Sequence, residues 1–184
     1  MELGQVLQAA MPCCGPRIFN LQTKLTNRLP ESNRRWSNEE MVVTELGQVG
    51  TQIDGFPHQT IGNSLYNCFT LDATMTRNGF TKLGVETMGT LMTRGVLIDV
   101  AALKRVEMLD EHYEITAQDL QDALKRQSLT LQAGDAVIIN TGWGKLWNTD
   151  NARYTATEPG IGVGAADWLV RLSRLEGSPM HRPM

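Results

Sequence analysis

Histidine and cysteine are both scarce in this 184-residue chain, with three of each. Cys13 and Cys14 are adjacent and Cys68 stands alone. An odd count with one adjacent pair makes a poor disulfide framework, so reduced thiols are expected. Cys68, in SLYNCFTL, reads as a small buried apolar residue. Nothing in the sequence ties a histidine to a cysteine, and a thiol nucleophile lacks support. No excess of positive charge is present either: the net charge of -3 gives no electrostatic ground for nucleic-acid binding. No stretch is apolar for long enough to cross a bilayer. The start, MELGQVLQAAM, has neither the basic opening nor the apolar run of a secretory signal, so the cytoplasm is the expected location. Internal repeats and low-complexity segments are also missing.

What is there is ordinary in amount and specific in arrangement. Hydrophobic residues make up 41% and charged residues 20%, the balance of a globular protein. The length suits one domain with a sizeable core. The most informative stretch is ELGQVGTQIDGFPH, Glu45 to His58. Side chains alternate faces along a strand, so an extended reading puts Gln48, Gln52 and Asp54 on one side. Gly50 leaves open space between them. Val49, Thr51 and Ile53 would form the apolar back. Pro57 forces a bend that returns His58 toward the strand end.

This stretch resembles the signature of the metal-dependent cyclase family, which includes bacterial kynurenine formamidases and isatin hydrolases and reads His-x-Gly-Thr-His-x-Asp-x-Pro-x-His. In that family the two histidines and the aspartate hold a divalent metal, and the last histidine acts as acid or base. Carried over by position, the metal ligands become Gln48, Gln52 and Asp54, and the acid-base group becomes His58. Gly50, Thr51, Asp54 and His58 keep the pattern; both ligand histidines are glutamines here, and the proline falls one place later.

Other segments follow the same order. Arg17 to Leu25 alternates like a strand, and Thr26 to Asn38 is loop-like, with Trp36 as either a pocket wall or a packing residue. MVVTEL leads into a central strand or hairpin running from Glu40 to Ile53. Gln59 to Arg77 holds neither period. RGVLIDV, Arg94 to Val100, reads as a strand buried on both faces, and Asp99 at its end as a residue that satisfies loop amides. Ala101 to Tyr113 reads as a loop. Thr116 and Asp119 approximate a capping box for a helix with Leu120, Ala123 and Leu124 on its inner face. AVIINTG, ending at Gly142, reads as a second buried strand. Trp143 and Trp147 are open to two readings, walls for a planar substrate or packing. Glycines 160, 162 and 164 suggest a dinucleotide loop only weakly, because no βαβ unit with a spaced acidic residue follows. Ala165 to Leu172 reads as a helix with Trp168, Leu169 and Leu172 facing in.

The resemblance spans Ile18 to Leu172. It implies an α/β fold with a swivelling β/β/α core and a mixed sheet, in one domain over 1–184 with an irregular entry over 1–16 and a tail outside the family pattern over 173–184. It also implies a hydrolase of a small amide or lactone, with arylformamidase chemistry of the kind used in tryptophan catabolism. A divalent metal, zinc or manganese with magnesium as a third option, would be the cofactor. The small-molecule substrate would be the main partner, with no nucleic acid and no membrane, in a homo-oligomer. A catalytically silent binding or assembly subunit is the second reading. The family's next strand and its later histidine and glutamate have no counterpart in SRLEGSPMHRPM, which suggests a truncated member. On that view Ile98 and Ile138, next to a missing strand, would be left uncovered.

Two neutral amides and one carboxylate also shift the expected preference toward hard cations. A polar patch without metal is the alternative for Gln48, Gln52 and Asp54. For His58, a turn histidine bonded to a backbone carbonyl is the alternative to an imidazole that moves protons near neutral pH. His112 and His181 belong to no constellation.

Overall fold

The computed structural model describes residues 4–9, 11–12, 17–26, 36–45 and 47–175. The chain divides into two compact units, Met1–Leu91 and Met92–Met184. Cys13, Cys14, His181 and the tail beyond 175 lie outside the described residues, as does most of the loop expected after Leu25.

In the first unit, strand β1 (Phe19–Thr26) pairs antiparallel with β2 (Ser37–Thr44) over eight residue pairs. The β-branched and aliphatic run MVVT supplies β2, but the strand ends at Thr44 and does not continue to Ile53 as the alternation suggested. One face of the ribbon carries Leu21, Leu25 and Val42, each about half exposed, and the other carries Met41 and Val43. Trp36, just before β2, is 58% exposed and lines none of the cavities discussed below. Further along come a short helix, α1 (Leu71–Thr74), and a two-residue hairpin of β3 (Met75–Thr76) and β4 (Gly79–Phe80). Asn67 and Cys68 both take left-handed backbone angles in the turn before α1. That turn carries Cys68 outward, so the thiol is exposed rather than buried.

The second unit holds the hydrophobic core. Strand β5 (Gly95–Asp99) runs parallel to β7 (Ala136–Asn140), with Val96 opposite Val137 and Ile98 opposite Ile139. Between them lie helix α2 (Val100–Lys104), the two-residue strand β6 (Glu114–Ile115) and helix α3 (Ala117–Gln127). Helix α4 (Asn151–Ala156), strand β8 (Gly160–Ile161), which pairs parallel with β6, and helix α5 (Val163–Leu175) complete the order. The architecture is mixed α/β, but parallel and antiparallel strands form separate small sheets among the described residues and not one mixed sheet. No helix among the described residues is long and apolar enough to cross a membrane.

The core explains these elements. Ile98, Ile115 and Leu120 are fully buried, each contributing about 1.5–3 kcal/mol. Leu120, Ala123 and Leu124 face this cluster from α3, and Trp168 and Leu169 pack on it from α5, as the helical spacing predicts. Thr116 caps α3 with a complete capping box. The strands differ from their reading: Val96 and Ile98 are buried but Leu97 is 44% exposed, so β5 is covered on one face only. Ile98 is not left bare, and Ile138 is half-buried. The core cluster covers Ile98, while the side chain of Gln127 serves the backbone of the same strand: its Oε1 accepts from Asp99 N and its Nε2 donates to Leu97 O, both at 3.0 Å. An amide from α3 thereby pairs with backbone groups of β5 that no further strand occupies.

Asp99 caps α2 by accepting from Ala102 N at 2.8 Å and takes a second bond from Asn140 Nδ2 at 3.1 Å. The segment read as a loop after Val100 therefore opens as a helix, because a strand-end aspartate is also a good N-cap. At Gly142 (φ 78°) a Cβ would strike the Glu107 carbonyl oxygen, so only glycine allows this approach. Trp143 is 4% exposed and donates its indole N–H to Tyr154 O at 3.3 Å, while Trp147 meets the Tyr154 ring edge-on. Both tryptophans pack against neighbours within this unit.

Candidate active site

The loop from 47 to 58 is irregular and not a strand. Gln48 has φ 60° and Gly50 φ 67°, and two left-handed residues so close together reverse the chain. Holding a glutamine there costs of order 1–3 kcal/mol. Neighbouring contacts maintain it: Val49 is buried, Thr51 Oγ1 accepts from Gln5 N at 3.0 Å, and a Cβ on Gly50 would strike the Leu7 side chain. The turn Gly55 to His58 is closed by His58 N donating to Gly55 O at 3.0 Å, with Pro57 buried beneath it. Phe56 stacks on Tyr66 with ring centres 4.4 Å apart, which anchors the turn from the other side.

This reversal brings side chains together that a strand would hold apart. Six residues of strand span about 20 Å. Here Gln48 Nε2 stands 3.4 Å from Asp54 Oδ2 and 3.4 Å from His58 Nε2. His58 Nδ1 faces Asp54 Oδ1 at 3.8 Å, so the carboxylate and the amide address opposite ring nitrogens. The His58 and Asp54 side chains are 38% and 42% exposed, open enough to meet a ligand. Gln52 lines the same cavity as Asp54 and His58 without joining their hydrogen bonds. The cavity has a volume of about 300 Å³, and its walls include Ile53, Pro57, Phe80, Val85 and Glu86.

The sequence assigns no role to Phe80 or Glu86, although KLGVETM, Lys82 to Met88, resembles a short segment of the family. They belong to the β3–β4 hairpin and the short 3-10 turn Val85–Met88, neither of which carries a periodic signal. A cavity of about 390 Å³ in the second unit, beside Asp99, Asn140 and Lys145, lies at the carboxyl ends of β5 and β7. His112 sits in that unit too, with Nδ1 3.3 Å from Thr157 Oγ1.

A divalent cation at Gln48, Gln52 and Asp54 would need carbonyl oxygens from both amides, because an amide NH2 group has no lone pair to give. The Gln48 group nearest Asp54 is its NH2, and turning the amide over would set carbonyl oxygen against carboxylate oxygen. Among the described residues no three His, Cys, Asp or Glu side chains stand close enough to hold a metal ion. This donor arrangement does not fit the cation that the resemblance implies. It does fit a general base: Asp54 faces Nδ1 at 3.8 Å, and Nε2 meets only the long 3.4 Å contact from Gln48, which a water could replace.

A family model described as "Putative cyclase" matches residues 1–177. A solved structure described as the crystal structure of a novel cyclase aligns at a TM-score of 0.81 and 26% identity. That alignment covers 94% of this chain and 62% of the other, so the chain spans less than two thirds of that relative's length. No curated protein matches. With a family model matching residues 1–177 and a cyclase structure aligned over 94% of the chain, this chain belongs to the cyclase family.

Proposed function

We propose that the chain is a hydrolase of a small amide or lactone, of the aryl formamide or cyclic amide type, with the family's swivelling β/β/α core as its scaffold. One observation carries this reading: the His58 imidazole and the Asp54 carboxylate meet in the wall of a cavity that Ile53, Phe80 and Val85 also line, with the Gln48 amide bonded to both. His58 Nε2 takes a proton from water as the water oxygen attacks the carbonyl carbon. Asp54, whose Oδ1 stands 3.8 Å from the opposite ring nitrogen, stabilises the imidazolium that forms. The C–N bond then breaks, and His58 returns the proton to the leaving nitrogen, giving formate and an arylamine from a formamide. Ile53, Phe80 and Val85 suit an aromatic ring. The assay is release of arylamine from a formanilide, with a small lactone as second substrate. Turnover above that of the His58→Ala protein is expected; equal rates for the two proteins would refute the hydrolase.

The second reading, a binding or assembly subunit, is favoured by the β1–β2 ribbon, which exposes aliphatic side chains on both faces. Both readings share a homo-oligomer, because a two-stranded ribbon is marginal in water without a surface to pack on. Sedimentation at low micromolar concentration is expected to show a dimer or larger species. Leu21→Lys with Val42→Glu should shift it toward monomer, and a monomeric parent protein would contradict the proposed assembly.

A further inference from the structure

We propose that this site works without a metal, and that the side-chain amide of Gln48 takes the electrophilic role that a cation would otherwise fill. The inference rests on the hydrolase reading above and assigns Gln48 a catalytic task in it. Its basis is the inward NH2 group of Gln48. That group offers two N–H donors, and two acceptors meet it at 3.4 Å, Asp54 Oδ2 and His58 Nε2. A carboxylate and a neutral imidazole nitrogen are the groups that would ligate a cation at this point, and both are instead engaged by a neutral donor. A cation placed there would gain one carboxylate, one imidazole and at best two weak amide oxygens, and those only with both amides turned so that oxygen, not NH2, faces it.

The same geometry fixes the tautomer. Because Gln48 supplies a hydrogen to the contact with Nε2, Nε2 must accept, and the single ring proton of neutral His58 belongs on Nδ1 toward Asp54. At 3.4 Å the Gln48 bonds are long, so a water or a substrate oxygen can displace them at little cost. Water entering at Nε2 frees one Gln48 N–H. That N–H turns to the substrate carbonyl oxygen as it becomes an oxyanion, while the water proton passes to Nε2. When the tetrahedral carbon collapses, the C–N bond electrons leave with nitrogen, which takes the proton back from His58. No oxidant, reductant or external acid is needed.

Three measurements on the full chain test this. Titration calorimetry of EDTA-treated protein with zinc, manganese and magnesium should show no saturable binding below millimolar concentration, and melting temperature should not move. The Gln48→His/Gln52→His double variant should bind zinc at least about a hundredfold more tightly and melt higher with zinc present. Nitrogen-15 spectra of His58 should report the Nδ1–H tautomer in the parent protein and a mixture in Gln48→Ala. Where a substrate is turned over, Gln48→Ala should lower kcat about a hundredfold with little change in KM. Stoichiometric metal bound with micromolar affinity by the parent protein, or an Nε2–H tautomer, would overturn the proposal. If the tautomer and metal results hold but no amide or lactone is cleaved, the hydrolase reading fails and the metal-free trio stands.

Discussion

Replacing His58 with alanine is expected to lower kcat on a formanilide by about 10³-fold while KM changes by less than about threefold. Both parts follow from the site. In the proposed reaction His58 Nε2 carries the transferred proton, so its loss would remove general base and general acid together. In the same proposal the substrate ring would rest on Ile53, Phe80 and Val85, which line the cavity beside His58. The side chain is 38% exposed, and the turn that carries it is closed by backbone through His58 N and Gly55 O, so the fold should survive the change. Asp54→Asn is the informative companion. It removes the charge that stabilises an imidazolium and should cost less than His58→Ala, about ten- to a hundredfold in kcat. Steady-state kinetics on both variants, with melting curves to check folding, decide the matter. A His58→Ala enzyme within threefold of the parent kcat would mean that the proton is moved elsewhere.

A second large effect is expected in the core of the other unit. Asp119 is only 6% exposed, yet it carries a charge. Burial pushes its carboxyl up, but the bonds from Lys104, from the backbone and hydroxyl of Thr116 and from the Tyr113 hydroxyl outweigh that and hold it at about 2. The Lys104 contact is 2.5 Å, and the same bond pushes the ammonium above its ordinary value. A carboxyl held below its ordinary value of 3.8 stabilises the folded state at any pH above that value, and this contribution fades as pH falls through 2. The difference corresponds to about 2 kcal/mol. Asp119→Ala also removes half of the capping box, worth about 1 kcal/mol. We expect a loss of about 2–3 kcal/mol at pH 7, or a drop in melting temperature of about 5–10 °C. Chemical denaturation at pH 7 and near pH 2 should show the gap between parent and variant shrinking by more than half in acid. A gap that is equal at both pH values would rule out the charged network as its source.

The two sites differ in how much of them could be read from residues alone. Helix α3 was fully legible: Thr116, Asp119 and the spacing of Leu120, Ala123 and Leu124 are local signals, and a cap needs only its own first turn to form. RGVLIDV and AVIINTG were legible as strands for the same kind of reason. Their parallel pairing was not, nor was the single buried face of β5, because both depend on what packs there. The amide of Gln127 on β5 shows the point, since a glutamine at the end of a helix gives no hint that it will complete a strand thirty residues earlier. Cys68 erred in the other direction: its type favours burial, and two left-handed turn residues overrode the preference.

The functional loop divides along the same line. Residue types and order pointed to Gln48, Gln52, Asp54 and His58 and carry the family's mark, because a signature is a property of the chain; in space Gln48, Asp54 and His58 meet, while Gln52 lines the same cavity as Asp54 and His58. The tertiary structure alone decided how the group is arranged. Alternation along a strand would leave Gln48 about 20 Å from Asp54. The left-handed turns at Gln48 and Gly50, held by buried Val49 and by contacts reaching back to Gln5 and Leu7, bring the two to 3.4 Å and turn an amide NH2 inward. A positive φ on a glutamine costs energy locally and is kept only by contacts distant in sequence. That is the physical reason why the residues of this loop could be singled out in advance and their arrangement could not.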